Sequence, residues 1–244
     1  MLVLTRKLVN RGLKMSFPKK LLQCLVNIDS FLFPREPRFG FDDSRQLWFV
    51  QDTDTRIYFP SLKRGLHLYR FGLIARSSRL FESYCLTEVD FASDDVVVDC
   101  GANYGDLWLS LRRMVSPENY YAFEPNPDDF SALKINLPSG ARAFSIALGS
   151  HDGEAEFFVS AVNGDSSLVR PPDYETVVTV RVARLKGMLT TLGINRVKLL
   201  KIEAEGYEPE ILNGLGDAVS LCEWVAVDGG PERGLNQEIT LPAA

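Results

Sequence analysis

The feature that most constrains the fold is a short apolar run that ends in an aspartate and continues through two glycines. It lies at residues 96–99, within the stretch VVVDCGANYGDLWLSL, and Gly101 and Gly105 follow it. A fully apolar run of this length is typical of a strand buried on both faces of a parallel sheet. Residues 106–116 then have a helical pattern. The sequence therefore predicts a strand, a glycine turn and a helix, the unit from which doubly wound sheets are built.

Strand-like and helix-like segments alternate from there toward the C-terminus. Patterns that predict strands occur in YYAFEP, ARAFSIAL, RVKLLKIEAEG and CEWVAVD, and helical patterns occur in NPDDFSALKINL and EPEILNGL. Two more strands are predicted in GEAEFFVS and TVVTVRVA, around a polar loop. Because such alternation is typical of α/β folds with a parallel sheet, we predict a doubly wound, mostly parallel sheet.

The part of the chain before this sheet has a different pattern. Aromatic and β-branched runs flank the turn-prone Asp52-Thr53-Asp54, which predicts a hairpin, followed by a loop and then a helix. We expect three parts: a basic helical segment at residues 1–45, the hairpin and helix at 46–94, and the α/β domain at 95–244.

Charge and cysteine content limit the partners that the chain can have. The net charge is -5, so the chain as a whole has no electrostatic basis for binding nucleic acid. No apolar stretch approaches about 18 residues, which predicts no transmembrane helix. The four cysteines lie far apart and form no CxxC pair, which favours reduced thiols in a cytoplasmic protein over disulfides or a zinc site.

The first 28 residues depart from this acidic balance. They contain six basic residues and no acidic one, with leucines and valines between them. Such a segment would make weak contact with a membrane surface or act as a targeting peptide. The alternative is that its helices pack on the edge of the domain with their lysines in solvent, which is the usual place of surface charge.

The residues that directly follow the first two strands of the α/β domain predict a nucleoside site, because ligands bind at the carboxyl ends of parallel strands. Gly101 allows a tight turn, and Gly105 lets the chain pass close to a ligand. The helix after them directs its amides at the same space. Glu124 lies 19 residues beyond Gly105, at the distance typical of a carboxylate that accepts hydrogen bonds from ribose hydroxyls.

The spacing of the glycines argues against a dinucleotide. A dinucleotide site needs GxGxxG so that the backbone can meet a pyrophosphate, whereas this turn is GxxxG preceded by Asp99. The form D-x-G-x-x-x-G is that of methyltransferases that use S-adenosylmethionine, a cofactor without phosphate. A nicotinamide-dependent oxidoreductase is therefore disfavoured.

A second group of polar residues follows the strand in RVKLLKIEAEG. Lys201, Glu203 and Glu205 alternate and precede Gly206, so in an extended chain their side chains share one face. Burying two acids and a lysine is costly, and ligand sites favour this edge of the sheet. The alternative is a structural ion-pair cluster. Two carboxylates would also suit a divalent ion, but without further ligands we expect no metal.

The sequence resembles the FkbM-type methyltransferases over about residues 46–230. The resemblance is carried by VVVDCGANYGDLWLSL, YAFEPNP, ALGSHDGEAEF, SSLVRPP and, above all, LLKIEAEGYEPEILNGL. It implies the class I, Rossmann-like methyltransferase fold, S-adenosylmethionine as methyl donor, and O-methylation of a hydroxyl on a sugar, glycan or natural product.

The resemblance also implies roles for individual residues. The methionine part of the cofactor would be lined by Asp99, Gly101, Asn103 and Gly105. Glu124 would hold the ribose, with Pro125 and Asn126 beside it, and Tyr104 would pack against the cofactor or shape the turn. Glu203 and Glu205 would face the acceptor and one of them would accept its proton, while Lys201 would orient these carboxylates or the acceptor.

The chain departs from the family pattern at three places. Glu203 stands where the family usually has aspartate, and residues 184–187 read RLKG where it tends to read TLDD. After Asp228 only residues 229–244 remain, too few for the helix and strand pair that usually close the fold. We therefore expect either that the chain is a truncated copy of the fold, or that the open sheet edge is covered by the basic N-terminal segment or a second copy. The alternative function is a nucleoside-binding or interaction protein that lacks turnover.

Overall fold

The computed structural model describes residues 3–28, 37–160, 166–231 and 233–240. By its contacts the chain divides into two compact units, residues 1–79 and 80–244. The finer division at residues 45 and 94 stays a prediction. No helix in the described ranges is both long enough and apolar enough to cross a membrane.

The helices and strands of the described residues are these, in chain order: α1 (Val3–Lys14), α2 (Lys19–Val26), β1 (Arg38–Asp42), β2 (Leu47–Gln51), β3 (Arg56–Phe59), α3 (Leu62–Tyr69), α4 (Leu73–Ser83), β4 (Val97–Cys100), α5 (Asp106–Leu111), β5 (Tyr120–Phe123), α6 (Pro127–Asn136), β6 (Arg142–Phe144), β7 (Ala147–Gly149), β8 (Gly153–Val159), β9 (Thr176–Arg184), α7 (Leu185–Leu192), β10 (Val197–Ile202), α8 (Glu208–Leu215) and β11 (Cys222–Val227). Short 3-10 turns lie at Leu86–Glu88, Pro117–Asn119 and Gly216–Leu221.

The first unit contains α1, α2, α3 and most of α4, together with an antiparallel sheet of β1, β2 and β3. The predicted hairpin is confirmed as β2 and β3. The predicted loop after it is wrong, because α3 begins there, with the Ser61 hydroxyl accepting a hydrogen bond from the Arg64 amide at 3.5 Å. β1 was not predicted. The predicted helical segment extends beyond α2 into residues 29–36, which lie outside the described residues.

The second unit is built on a five-stranded sheet in the order β11-β10-β4-β5-β6. Neighbouring strands run parallel throughout, which confirms the predicted α/β architecture. Alternate residues of β4 serve opposite faces of the sheet. Val97 packs in a cluster with Leu107 of α5 and Leu133 of α6, and Val98 packs in a cluster with Leu189 of α7 and Ile211 of α8. The sheet is thus covered by helices on both faces, as a doubly wound fold requires.

Two predicted elements of this unit differ from the structure, and one helix was not predicted. The strand predicted in ARAFSIAL is divided into β6 and β7, and β7 belongs to a second sheet, in the order β7-β9-β8. The helix predicted for residues 106–116 ends at Leu111. α7 was not predicted, although Gly193, with φ of 69°, ends it in the left-handed conformation typical of a helix terminus.

β11 is an edge strand of the main sheet. Trp224 and Val225 are 40% and 38% exposed. In the described residues after β11, Arg233 and Glu238 form an isolated antiparallel bridge, and no further strand pairs with β11 there.

Candidate active site

The turn after β4 is shaped by close contact with the chain that follows β10. Gly101 has φ of 73°, and a Cβ atom at this position would lie 1.8 Å from the carbonyl oxygen of Glu203. Any larger residue would therefore displace the backbone at residue 203. Gly105 also has a positive φ, of 88°, and its nearest side chains are Leu133 and Leu137. Gly101 thus fits the predicted tight turn, and it also lets the chain after β10 approach.

Glu124 joins the ends of β4 and β5. One carboxylate oxygen accepts a hydrogen bond from the backbone N–H of Asn103, and the other accepts one from the backbone N–H of Asn126, both at 2.8 Å. Asn126 in turn begins α6, since its side-chain oxygen accepts the Asp128 amide at 3.1 Å. Pro125 lies between these two residues. The two turns that the sequence predicts as one nucleoside site are therefore in contact, and the carboxylate is fixed in orientation.

Asn103 and Tyr104 occupy the centre of the β4 turn. Asn103 has φ of 50°, and its side-chain oxygen is buried and makes no hydrogen bond with the described residues. Such an oxygen is suited to a ligand that donates a hydrogen bond, because a buried acceptor without a partner is costly. Tyr104 is buried, and its backbone carbonyl accepts from the Asn136 side chain at 2.8 Å. This contact favours the second of its two expected roles, shaping the turn.

Lys201 is at the centre of a buried ion-pair cluster. Its ammonium is 3.2 Å from Asp99 Oδ1 and 3.0 Å from Glu203 Oε2. It also donates to the carbonyls of Gly101 at 2.7 Å and Cys100 at 3.3 Å. Only 3% of Lys201 is exposed. Of its two expected roles, this geometry fits orienting the carboxylates, because its ammonium is directed at the β4 turn and Glu203.

Burial and charge act in opposite directions on this lysine. Removal from water would lower the pKa of Lys201, but Asp99 and Glu203 outweigh that effect and hold its pKa well above the usual range. Asp99 is fully buried, and its other oxygen accepts the Tyr120 hydroxyl at 2.5 Å. Burial, and then Asp99, raise the pKa of Tyr120. The cluster is thus composed of a charged lysine, the two carboxylates of Asp99 and Glu203, and the neutral phenol of Tyr120.

Tyr84 is a site residue that the sequence did not indicate. Its ring lies 5.8 Å from the Lys201 ammonium, and its side chain hydrogen-bonds to Glu203. Burial raises the pKa of Tyr84, so it stays a neutral donor to that carboxylate. It comes from the segment that follows α4 and carries no motif, so only the folded chain reveals it.

The loop after β10 changes direction at Glu205. The strand ends at Ile202, and Glu205 has φ of 51°. The extended chain that would place three side chains on one face therefore holds only to Glu203, because a left-handed residue rotates the chain. The Glu203 side chain is 32% exposed and contacts Lys201. The assignment of Glu203 and Glu205 to the acceptor stays a prediction.

Glu208, a second residue that the sequence did not indicate, stabilises this loop through hydrogen bonds from the loop backbone. It is fully buried in the first turn of α8, and its carboxylate accepts the Ala204 amide at 2.6 Å and the Gly206 amide at 3.1 Å. Burial raises the pKa of Glu208 above its usual value, and the hydrogen bonds from these amides offset only part of that effect. Glu208 is the first residue of α8, and an acid in the first turn of a helix is a common pattern that gives no indication of a site.

Among the described residues, no group of three or more histidines, cysteines, aspartates or glutamates could hold a metal ion. The four cysteines are free thiols.

Comparison of the sequence with protein-family models gives a match that covers these residues. The methyltransferase FkbM domain matches residues 99–227, from the first aspartate of the β4 turn to the end of β11. The chain belongs to this family. The resemblance stated from the motifs is therefore confirmed, and the match contains Asp99, Glu124, Lys201 and Glu203.

Three curated relatives are similar over part of the chain. Methyltransferase 1 of Beauveria bassiana is 30% identical over 162 residues, which cover 57% of this chain and 65% of that protein. The hexuronic acid methyltransferase AglP of Haloferax volcanii is 28% identical and covers 55% of this chain and 56% of that protein. The 31-O-demethyl-FK506 methyltransferase FkbM of Streptomyces tacrolimicus is 28% identical, with 53% and 63% covered. The chain thus spans less than two thirds of the length of these relatives.

Proposed function

We propose that this protein is an S-adenosylmethionine-dependent O-methyltransferase that acts on a hydroxyl of a sugar, glycan or natural product. The observation that carries the proposal is the position of Lys201. Its ammonium joins Asp99, at the end of β4, to Glu203, at the end of β10. A nucleoside site and an acceptor-facing carboxylate are thus connected at the carboxyl edge of two adjacent strands, where ligands of open parallel sheets bind.

The residues of the β4 and β5 turns fit the proposed cofactor. Glu124 is oriented by two amides, and a carboxylate can accept about four hydrogen bonds, which suits two ribose hydroxyls. The buried side-chain oxygen of Asn103 suits the donor groups of the methionine part. Asp99, Gly101 and Gly105 support this turn, and Tyr104, Pro125 and Asn126 complete its wall.

In the proposed reaction the protein aligns an acceptor hydroxyl and takes its proton. When bound, S-adenosylmethionine would supply an electrophilic methyl group: the bond from this carbon to the sulfonium sulfur would break, leaving a thioether, as the bond to the acceptor oxygen forms. Glu203 or Glu205 accepts the hydroxyl proton, directly or through a water, which contributes about 100-fold or more. Lys201 and Tyr84 keep Glu203 in place, so the protein contributes mainly alignment.

The acceptor class rests on the names of two relatives. One is named for a hexuronic acid and one for FK506 without its 31-O-methyl group. Both names are consistent with a hydroxylated sugar or natural product as the acceptor of this chain.

Calorimetry with S-adenosylmethionine, S-adenosylhomocysteine and NAD tests the cofactor. We expect the first two to bind; binding of NAD alone would refute the proposal. Turnover against a panel of sugars, glycans and natural products then tests the base. Glu203→Gln and Glu205→Gln are compared with Glu156→Gln, an exposed position on β8. If both site variants keep full turnover while they remain folded, the base assignment is wrong.

A second candidate is a nucleoside-binding protein without turnover. The observation that favours it is the open edge of β11, next to which the described residues place no further strand. Binding of S-adenosylmethionine without methyl release across the whole panel would support this candidate over the first.

We also propose that the protein works in the cytoplasm and makes weak contact with a membrane surface through residues 1–28. Arg11, Lys14 and Lys20 are exposed in this segment, and so are Leu8 and Leu21. Basic helices with exposed apolar side chains bind anionic bilayers. Full-length protein should co-sediment with vesicles that contain phosphatidylglycerol more than with pure phosphatidylcholine vesicles, and a triple variant with glutamine at the three basic positions should lose the difference. Equal sedimentation with both vesicles would count against this contact.

For the open edge we propose a second copy of the chain. β11 is six residues long, and Trp224 and Val225 are partly exposed on it. An edge strand of this kind is prone to pair with another chain. Light scattering should show a dimer that Val225→Lys converts to a monomer. A wild-type monomer at micromolar concentration would refute the pairing.

A further inference from the structure

The turn between β10 and α8 is held at one residue from two sides. Gly206 has φ of 98°, and its amide donates to the Glu208 carboxylate at 3.1 Å. Its carbonyl accepts a hydrogen bond from Arg233 Nη1 at 2.5 Å. The backbone N–H and C=O of Gly206 are thus each hydrogen-bonded to an ionisable side chain, and hydrogen bonds to charged groups are stronger than those between neutral groups.

Arg233 is itself fixed by an acid of α8. Its two terminal nitrogens contact the two carboxylate oxygens of Glu210, at 2.9 Å and 2.5 Å. This bidentate geometry orients the guanidinium plane. The pKa of Arg233 is raised, chiefly by its hydrogen bonds to Glu210, so the side chain stays charged. Arg233 therefore connects residues after β11 to the first turn of α8.

A third segment meets the same loop. The Ser167 hydroxyl donates to the Ala204 carbonyl at 3.3 Å, and Val169 is the neighbour that a Cβ atom on Gly234 would meet, at 3.7 Å. The loop that carries Glu203 and Glu205 is thus in contact with residues after β8 and residues after β11. Glu205, with φ of 51°, directly precedes Gly206, so its direction depends on this turn.

We propose that Arg233 is a positioning residue for the proposed methyl transfer. It fixes the Glu205–Gly206 turn through the Gly206 carbonyl and Glu210, and it thereby makes residues 233–240 a wall of the acceptor side of the site. The side-chain hydrogen bonds of Arg233 go to Gly206 and Glu210, which lie on the loop and on α8, so its effect falls on the acceptor side and leaves cofactor binding unchanged. This inference rests on the proposed function.

The experiment compares full-length wild type with Arg233→Gln, Arg233→Lys and the control Arg196→Gln. Arg196 forms an exposed ion pair with Glu223, near the start of β10, and makes no contact with the loop. Hydrogen exchange, read by mass spectrometry, is followed in peptides that cover residues 203–210, and S-adenosylhomocysteine binding is measured by calorimetry. Once the panel has identified an acceptor, the KM values for S-adenosylmethionine and for that acceptor are also measured.

We expect Arg233→Gln to accelerate exchange in residues 203–210 by about tenfold, since a charged hydrogen bond is lost there. Arg233→Lys should restore part of the protection, and Arg196→Gln should match wild type. The affinity for S-adenosylhomocysteine should stay within about twofold, because the side-chain hydrogen bonds of Arg233 go to Gly206 and Glu210, and only the acceptor KM should rise.

The proposal is overturned if Arg233→Gln leaves exchange in 203–210 unchanged, or if exchange rises equally in β4 and β10, which would indicate general destabilisation. It is also overturned if the affinity for S-adenosylhomocysteine falls as much as that for the acceptor. Failure of wild type to bind S-adenosylhomocysteine would instead count against the proposed function, since the exchange result is obtained without any ligand.

Discussion

Substitution of Gly101 by alanine tests how closely the β4 turn and the chain after β10 are fitted together. The added Cβ atom would lie 1.8 Å from the Glu203 carbonyl oxygen, a backbone atom that cannot rotate away. The carbonyl belongs to the residue whose amide donates to Cys100 at 3.1 Å. Relief of the overlap therefore requires movement of the chain at the end of β10 or at the end of β4.

Two terms contribute to the expected loss of stability. Gly101 has φ of 73°, and a left-handed conformation costs a residue with a Cβ atom about 1–2 kcal/mol. Displacement of packed neighbours by an extra carbon typically costs about 1–3 kcal/mol. We expect Gly101→Ala to lower the free energy of unfolding by about 2–5 kcal/mol, the sum of the two ranges.

Gly193→Ala is the matched control because it contains only the first term. Gly193 has φ of 69°, and a Cβ atom there would meet nothing within 4 Å. Urea unfolding of both variants, followed by circular dichroism, gives the difference directly. We expect Gly101→Ala to be less stable than Gly193→Ala by about 1–3 kcal/mol. A difference below about 0.5 kcal/mol would show that the close approach of the two turns is not a constraint.

Three further predictions follow from single contacts. Lys201→Met should lower the free energy of unfolding, measured with urea, by about 3–5 kcal/mol, because Asp99 stays buried and keeps only Tyr120 as a partner. Lys198→Met, at a partly exposed ion pair, should lower it by about 1 kcal/mol or less. Equal losses in the two variants would contradict the buried cluster. Asn126→Ala should cost about 1 kcal/mol and Asn126→Asp much less, since either oxygen can accept the first amide of α6; equal melting temperatures for alanine and wild type would refute the cap. Burial raises the pKa of Cys222 to about 11, so little thiolate is present at neutral pH. The rate of alkylation by iodoacetamide, followed by peptide mass spectrometry, should therefore rise by about a hundredfold between about pH 7.5 and pH 9.5. A rate that levels off within this range would refute the raised pKa.

The elements that the sequence predicted are those in which local pattern and burial agree. β4 and β10 are mostly apolar, and each is buried along its whole length, including Asp99, Lys198 and Lys201, so a short run was sufficient. α6 was predicted from the helical pattern in NPDDFSALKINL, and of the two residues that could cap it, Asn126 and Asp128, the structure has Asn126 at the N-cap. α7 was not, because its two threonines and Gly187 are poor helix formers, and its stability comes from the packing of Leu185 and Leu189.

The candidate site was predictable where the positions of strand ends determine it. The carboxyl ends of β4, β5 and β10 meet because these strands are neighbours in a parallel sheet, and this alone brings Glu124 and Lys201 to one edge. The direction of Glu205 was not predictable, because it depends on the left-handed turn before Gly206. Tyr84 and Arg233 come from segments distant in sequence, and no local pattern indicates where such side chains end.

Lys201 explains why the spacing of the motif after β10 and the glycine turn after β4 must be considered together. A buried ammonium requires compensating charge, and the structure supplies one carboxylate from each strand, Asp99 and Glu203. The same lysine donates to the Gly101 carbonyl, at the residue whose missing Cβ atom admits the Glu203 backbone. A change at any of these four positions therefore alters both turns. If two sites shared only a sheet edge, mutations in them would have additive effects; here, Gly101→Ala and Lys201→Met in one chain should lower stability by less than the sum of their separate effects, because either one already separates the two turns.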